Sequence, residues 1–249
     1  MAKTNYHTHT VWCDGDASVA AMIEGAIARG LTKLGFSSHS DMLKDPSAYR
    51  EEVRACSGKY ADAIKVFCGV EAEYAKDFDR AGYDYVIGSV HYVEAADGAR
   101  VSVDASPEEL AEGIAKHFGG NARAFVERYF EREREMLSSF DFDIAGHLDL
   151  VRKFNRVAPY FDENATWYLK ELDRTAEASS GKFVEVNTGA IARGWIDDAY
   201  PSRVFRDRLR EAGAKFVLSS DAHSVSGLDI AFDRFARAEE WCEPDFTKI

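Results

Sequence analysis

With 249 residues, 46% of them hydrophobic, the chain can bury one sizeable core, and single-domain α/β barrels commonly have this length. A net charge of −12 and the lack of any Lys/Arg-rich block argue against nucleic-acid binding and for small-molecule chemistry. Four cysteines without paired short spacing (Cys13, Cys56, Cys68, Cys242) argue against a disulfide framework or an all-cysteine zinc site; with no apolar leader and no run of about 18 apolar residues, a cytoplasmic protein with reduced thiols and no membrane partner is expected.

Residues 4–9 read as the first strand. His7 and His9 lie two apart in it, and because side chains alternate along a strand both imidazoles face one point, as a borderline-soft divalent metal requires. A polar C-D-G-D turn leads to a helix over 17–29, capped by Asp16 or Ser18 and stopped by Gly30. A short apolar strand at 34–38 ends in His39, and a helix over 49–63 follows. Residues 65–71 form a third strand, continuous enough to be buried on both faces, ending in Glu71 with Glu73 two residues on. Residues 85–91 end a buried run in His91 before a polar loop through Asp97 and Gly98. Two outer helices are expected over 107–117, capped by Ser106, and over 122–137.

A fifth strand at 142–146 runs into His147 and Asp149, and positive charge follows at once in Arg152, Lys153 and Arg156. A helix over 163–179 precedes a strand over 182–187 bearing Glu185 and Asn187. The next loop, T-G-A-I-A-R-G, carries Arg193, and Pro201 starts another helix. Residues 214–220 form the last strand, running into Asp221 and His223, and an amphipathic helix over 228–241 closes the chain.

Seven short buried-type strands alternating with helices fit a parallel barrel or a wound sheet. The strand ends choose between them. An open sheet would spread His7/His9, His39, Glu71, His91, His147, Glu185/Asn187 and Asp221/His223 along a line, whereas closure gathers them at the C-terminal mouth where barrel enzymes build their sites. Taken singly, a histidine is more often a surface residue or a satisfied core donor, and Asp14 in its D-G dipeptide more often a turn residue. The set behaves differently: six of the seven histidines fall at strand ends and only His117 lies within a helix. Glu73 shares the face of Glu71 and is a substitute ligand. Arg152 and Arg193 would ordinarily be solvated charges, but beside a metal cluster they become phosphate clamps, since guanidinium matches phosphate oxygens bidentately. No G-x-S-x-G elbow and no G-x-G-x-x-G after a strand is present.

The ordered set H-T-H-T-V-W-C-D-G, G-F-S-S-H-S, G-V-E-A-E-Y, G-S-V-H-Y, A-G-H-L-D-L-V-R, E-V-N-T-G-A with Y-P-S, and S-D-A-H resembles the PHP (polymerase and histidinol phosphatase) superfamily over essentially the whole chain, and its histidinol-phosphate phosphatases most. The resemblance implies one domain over residues 1–249 folded as a distorted (β/α)7, TIM-barrel-like structure with three divalent ions, zinc, manganese or iron. One ion would be held by His7, His9, Glu71 and Asp221, a second by Asp14, His39 and His223, and a third by Glu71, His91 and His147, with Glu71 bridging. It further implies hydrolysis of L-histidinol phosphate in histidine biosynthesis by attack of a metal-bridging hydroxide on phosphorus, without a covalent enzyme intermediate. Arg152 and Arg193 would hold the phosphate. His39 would act at the reacting centre, and Asp149 or a metal-bound water would protonate the leaving alkoxide. Two rivals are a PHP phosphoesterase acting on nucleotides or another small phosphomonoester, and a non-catalytic metal-stabilised module. Oligomeric state has no signature in the sequence.

Overall fold

The structure, a computed structural model, describes residues 4–75, 77–235 and 240–246. Its first strand, β1 (Thr4–Asn5), is followed by α1 (Val19–Ala28), β2 (Lys33–Phe36), α2 (Pro46–Lys59), β3 (Lys65–Glu73), β4 (Tyr85–Ser89), and a hairpin of β5 (Tyr92–Glu94) and β6 (Arg100–Ser102). Then come α3 (Pro107–His117), α4 (Ala122–Ser139), β7 (Ile144–Ala145), α5 (Thr166–Ala178), β8 (Phe183–Asn187), α6 (Gly189–Ala192), α7 (Arg203–Glu211), β9 (Lys215–Ser219) and α8 (Phe232–Phe235). Seven strands form one parallel sheet in the order β1-β2-β3-β4-β7-β8-β9, each β-helix-β passage returning to the neighbouring position. A parallel bridge from Thr8 to Ala222, with His9 N donating to Ala222 O at 2.8 Å, brings the two edges together. The result is the expected seven-stranded, nearly closed barrel.

The first strand is shorter than its pattern because the Asn5 side chain intervenes. Its Oδ1 accepts from His7 N at 3.1 Å and from Ser220 N at 3.3 Å, drawing the chain out of the β2 ladder and towards β9. The sequence reading also lacks the β5–β6 hairpin, whose three-residue strands are too short to show periodicity; it turns at Gly98, where φ is +81°. Within 228–241 the described residues hold α8 in place of the expected continuous helix, preceded by a 3-10 turn at Val225–Gly227. Ala231 between them has φ +59°, which no right-handed helix can accommodate, and residues 236–239 lie outside the described ones. The cap of α1 is Ser18, accepting from Ala21 N, and Ser106 caps α3 in the same way.

Inside the barrel floor, Tyr6, Phe67, Tyr85, Ile87, Ile144, Val217 and Phe246 form one packed cluster. Tyr85 crosses the floor to donate to the carbonyl of Phe36 at 3.1 Å and also bonds Tyr6 O. It fits because β2 and β3 present glycines there: a Cβ at Gly35 would lie 2.2 Å from the Tyr85 hydroxyl, and one at Gly69 2.3 Å from its ring. The remaining apolar residues form two larger clusters beneath the helices.

One charge is misplaced for a core. Glu133 on α4 is fully buried, accepts from Tyr129 Oη at 2.6 Å, and leaves Oε2 without a partner. Burial pushes its carboxyl well above the ordinary range; the Tyr129 bond and His91 oppose this, while Glu73 and Asp149 add to it. A carboxyl with a raised folded-state pKa holds its full stability below about pH 4.3, the unfolded value, and loses it as pH rises. Urea unfolding of Glu133→Gln, which keeps the acceptor and removes the proton, should therefore gain on the parent by about 1–3 kcal/mol between pH 5 and pH 8, the cost of a buried group left unsatisfied. A gap of constant size over that range would show that Glu133 does not titrate.

Candidate metal centre

At the C-terminal mouth, β1, β2, β4 and β7 each run into a histidine directed at one carboxylate, Glu71 on β3. This residue is buried, and its two oxygens face different partners. Oε2 lies 2.9 Å from His39 Nδ1, 3.2 Å from His7 Nε2 and 3.5 Å from His9 Nε2. Oε1 lies 2.9 Å from His147 Nε2 and 3.3 Å from His91 Nε2, and accepts from Ser89 Oγ at 2.8 Å. Asp221 completes the first group, its Oδ1 3.1 Å from His9 Nε2 and 3.6 Å from His7 Nε2. It reaches them from a left-handed backbone (φ 49°), a conformation aspartate tolerates better than most residues and one typical of functional sites. Across the mouth, Asp14 sits 3.1 Å from His223 Nε2, 3.7 Å from His9 Nδ1 and 3.8 Å from His39 Nε2. All nine residues expected at the metal sites thus converge, and three groups place their ligand atoms within 4.8 Å of one another: His9/Asp14/His39/His223, His7/His9/Glu71 and His39/Glu71/His91.

The donors fit divalent ions. His7 Nε2, His9 Nε2 and Glu71 Oε2 are buried without a hydrogen bond, an arrangement that costs stability unless something positive lies between them. Two ligands about 2.1 Å from one tetrahedral ion stand about 3.4 Å apart, and the His7, His9, Glu71 and Asp221 contacts bracket that spacing. Electrostatics agrees. Burial alone would depress the His7 imidazole, yet Glu185, Glu71 and Asp221 hold it well above its ordinary value; His39 and His91 are raised in the same way, chiefly by Glu71. Burial raises Glu71 and Asp221, but neighbouring imidazoles, and for Asp221 also Arg193, keep both carboxyls well below the usual range. His9 behaves oppositely: burial and the nearby His223 and His39 lower it to about 3, leaving it neutral. The centre gathers cations, and metal ions would take the place of these protons.

Two carboxylates outside the expected ligand set orient it. Glu185 on β8 sets Oε2 2.8 Å from His7 Nδ1 and accepts the His147 backbone N–H at Oε1, 2.7 Å away. Glu73, a substitute ligand by sequence, instead accepts from His91 N at 2.7 Å and stands 3.1 Å from His91 Nδ1. Each leaves the Nε2 of its histidine turned to Glu71. Glu185→Gln is expected to lower both metal affinity and kcat/KM about 10–100-fold, as loss of a ligand's supporting carboxylate does. Metal titration beside kinetics checks this, and unchanged values in both would remove Glu185 from the site.

A cavity of about 360 Å³ opens over the cluster, with Lys153, Arg193, Asp104 and Tyr200 among its walls. Arg193 donates to Asp221 Oδ2 at 3.0 Å and lies 3.3 Å from His223 Nδ1. Lys153 Nζ contacts Asp104 through its carbonyl (2.8 Å) and carboxylate (3.2 Å). Arg152 and Asp149, expected at the phosphate and the leaving group, do not line this cavity. Arg152 turns away to Glu163 (Nε to Oε2, 2.6 Å) and Asp149 (3.3 Å), and lines a different cleft. Asp149 is buried and accepts from Ser202 N at 2.8 Å, bracing the loop that follows Tyr200. The cation at the site from this segment is therefore Lys153, next in sequence.

A parallel barrel with a buried cluster of histidines and carboxylates at its mouth, flanked by two cations, is suited to hold divalent ions beside an anionic group. The chain belongs to the PHP domain family, whose model matches residues 5–189. A Deinococcus radiodurans protein named "Probable histidinol-phosphatase" is 29% identical over 249 residues, covering 91% of this chain and 88% of the relative. Among solved structures, hisK from Listeria monocytogenes superposes with a TM-score of 0.79 at 20% identity, covering 93% of this chain and 99% of that one. Histidinol phosphate phosphatase from Lactococcus lactis, solved with zinc, L-histidinol and phosphate, gives 0.67 at 22% identity, covering 89% and 86%.

Proposed function

We propose that the chain is a histidinol-phosphatase, a phosphoric monoester hydrolase releasing phosphate and L-histidinol in histidine biosynthesis. The observation that carries this reading is a mouth divided by charge. The 360 Å³ cavity holds the cluster, Arg193 and Lys153, and suits a phosphate. It shares Asp14, His39, His91 and Asp104 with an adjoining space of about 210 Å³ that adds Asp41, Met42 and Tyr92 and no lysine or arginine. A small ester with phosphate at one end and an ammonium and an imidazole at the other matches both halves; a nucleotide lacks the cationic end. The Lactococcus relative carries the same pair of products, L-histidinol and phosphate.

His7, His9, Glu71 and Asp221 would hold one ion, Asp14, His39 and His223 a second, and Glu71, His91 and His147 a third. Bound there, the ions would neutralise phosphoryl charge and make water nucleophilic near neutral pH. The protein's own part is positioning. Arg193 and Lys153 bind the phosphoryl oxygens in this reading, supported by the turn of Arg152 towards Glu163. His39, between Glu71 and Asp14, stands at the reacting centre. Glu185 and Glu73 orient His7 and His91, and Asp149 braces Ser202 and donates no proton to the leaving group.

Residues 1–249 form one domain in this reading, since β9, Asp221 and His223, beyond the matched stretch, complete the barrel and the cluster. A cytoplasmic location fits a biosynthetic enzyme in which, among the described residues, no helix is long and apolar enough to cross a membrane. The partner is a small phosphate ester and not a nucleic acid. The test is phosphate release from L-histidinol phosphate beside nucleotide and sugar phosphates, on manganese- and zinc-loaded protein with metal content measured in the same sample. Preference for histidinol phosphate is expected. Comparable turnover of nucleotides would discard the substrate, and bound metal with no turnover of anything would leave a structural module.

A further inference from the structure

Two histidines of the cluster have a carboxylate behind them, Glu185 for His7 and Glu73 for His91, but His9 has a thiol. Its Nδ1 stands 3.4 Å from Cys13 Sγ, the one hydrogen-bond partner of that nitrogen among the described residues, since Asp14 Oδ1 at 3.7 Å is too far to accept. The opposite nitrogen, Nε2, is fully buried, faces Asp221 and Glu71, and has no hydrogen bond. The sulfur is carried by a turn that folds back over His9. Cys13 N and Gly15 N each donate to Thr10 O at 3.0 Å, and a Cβ at Gly15 would lie 2.7 Å from the carbonyl carbon of His9, so the turn requires glycine there. Trp12 Nε1 donates to Glu52 at 2.8 Å and Asp16 N to His223 O at 2.8 Å, which pins the turn on both sides of Cys13. The thiol proton has its own acceptor, Thr10 O at 3.7 Å, so a sulfur lone pair is left towards the ring.

We infer that Cys13 is a positioning residue of the metal centre: its sulfur accepts the Nδ1 proton of His9 and so commits Nε2 of that ring to the ion shared with His7, Glu71 and Asp221. The two nitrogens of a neutral imidazole can exchange roles, and only the one without the proton can bind an ion. An acceptor fixed at Nδ1 keeps the proton there and holds the ring plane. The sulfur itself stands behind the ring and not among the ligands, since none of the three groups with ligand atoms within 4.8 Å of one another includes Cys13. A neutral sulfur accepts more weakly than a carboxylate, so its support of His9 is weaker than that of Glu185 for His7.

The inference rests on the ion assignment of the reading above, and its test needs no substrate. Cys13→Ala removes the sulfur, whereas Cys13→Ser keeps a group that can accept from Nδ1 and donate to Thr10 O. Zinc titrated against a chromophoric chelator should bind about tenfold more weakly at one ion position of Cys13→Ala, the lower end of what loss of a ligand's supporting partner costs, and Cys13→Ser should recover most of that affinity. In the zinc-loaded parent the Nδ1 proton of His9 should give a slowly exchanging nitrogen-correlated proton resonance, absent from Cys13→Ala. Equal zinc affinity in parent and Cys13→Ala would overturn the inference. So would an equal loss at every ion position together with a lower melting temperature of the metal-free variant, which would make the thiol a packing element of the turn. A thiolate-to-cobalt charge-transfer band in the cobalt-loaded parent would overturn it too, by placing the sulfur on an ion. A parent that binds no zinc would sink the ion assignment itself and this inference with it, a result visible without any variant.

Discussion

Replacing Glu71 with glutamine is expected to lower kcat/KM by at least about a thousandfold while leaving the barrel folded. The magnitude follows from the position of the carboxylate. Its two oxygens face separate groups of imidazoles, so one lost charge weakens every metal position that includes it, and ions of this kind supply several kcal/mol of transition-state stabilisation at roughly tenfold in rate per 1.4 kcal/mol. Retention of the fold follows from what glutamine keeps. The amide oxygen still accepts from Ser89 Oγ, the backbone of β3 is paired on both sides, and the shape is unchanged. Metal analysis of the purified variant should find fewer ions per chain than in the parent, and circular dichroism an unaltered spectrum. Full activity with the parental metal content would remove Glu71 from the centre of the mechanism.

Metal removal is the second large effect. Chelation should abolish turnover, with recovery on adding manganese or zinc, and should also lower the melting temperature. An ion present at about 100 times its dissociation constant stabilises the folded chain by about 2.7 kcal/mol, worth roughly 5–10 °C for a protein of this length. The size of that drop depends on pH in a definite direction. Without metal, His7, His39 and His91 have raised folded-state values, so the stability of their contacts with carboxylates is complete below about pH 6.5 and is lost as pH rises through those values. Glu71 and Asp221 are depressed, so their contribution is present above about pH 4 and is lost only in stronger acid. Between these limits the metal-free cluster is held together by its own protons. As pH rises through those folded-state values the protons are lost, and ligand imidazoles are then free to bind ions. Scanning calorimetry of loaded and chelated protein should show a gap in melting temperature that is smallest in mild acid and widens as pH rises. A gap independent of pH would mean that the ions do not replace these protons.

Much of this was legible in the chain because strands impose simple rules. His7 and His9 share a face by alternation, and buried runs that stop at His39, Glu71, His91 and Asp221 mark the same edge of a parallel sheet, so closure could be argued from the ligands themselves. What escaped depends on rotations a sequence does not display. Arg152 and Lys153 are neighbours at a 3-10 turn, where successive side chains diverge by about 120°; one reaches Glu163 and the other the cavity, with nothing in their order to say which. Glu185 was visible at a strand end, but its contact with His7 depends on β8 sitting two places from β1 around a closed ring. The break at Ala231 follows from a backbone angle that alanine seldom adopts and that no residue pattern announces.

The tyrosine laid across the barrel floor makes this enzyme a vessel with one doorway. Tyr85, seated on Gly35 and Gly69 and packed against Tyr6 and Phe246, seals the end opposite the mouth, so nothing passes through the barrel axis. Ions, ester, water and both products share a single route. In the proposed reading the phosphate lies over the ions and the alcohol on the outer side, so the alcohol departs first and a retained phosphate slows the escape of the ions to a chelator.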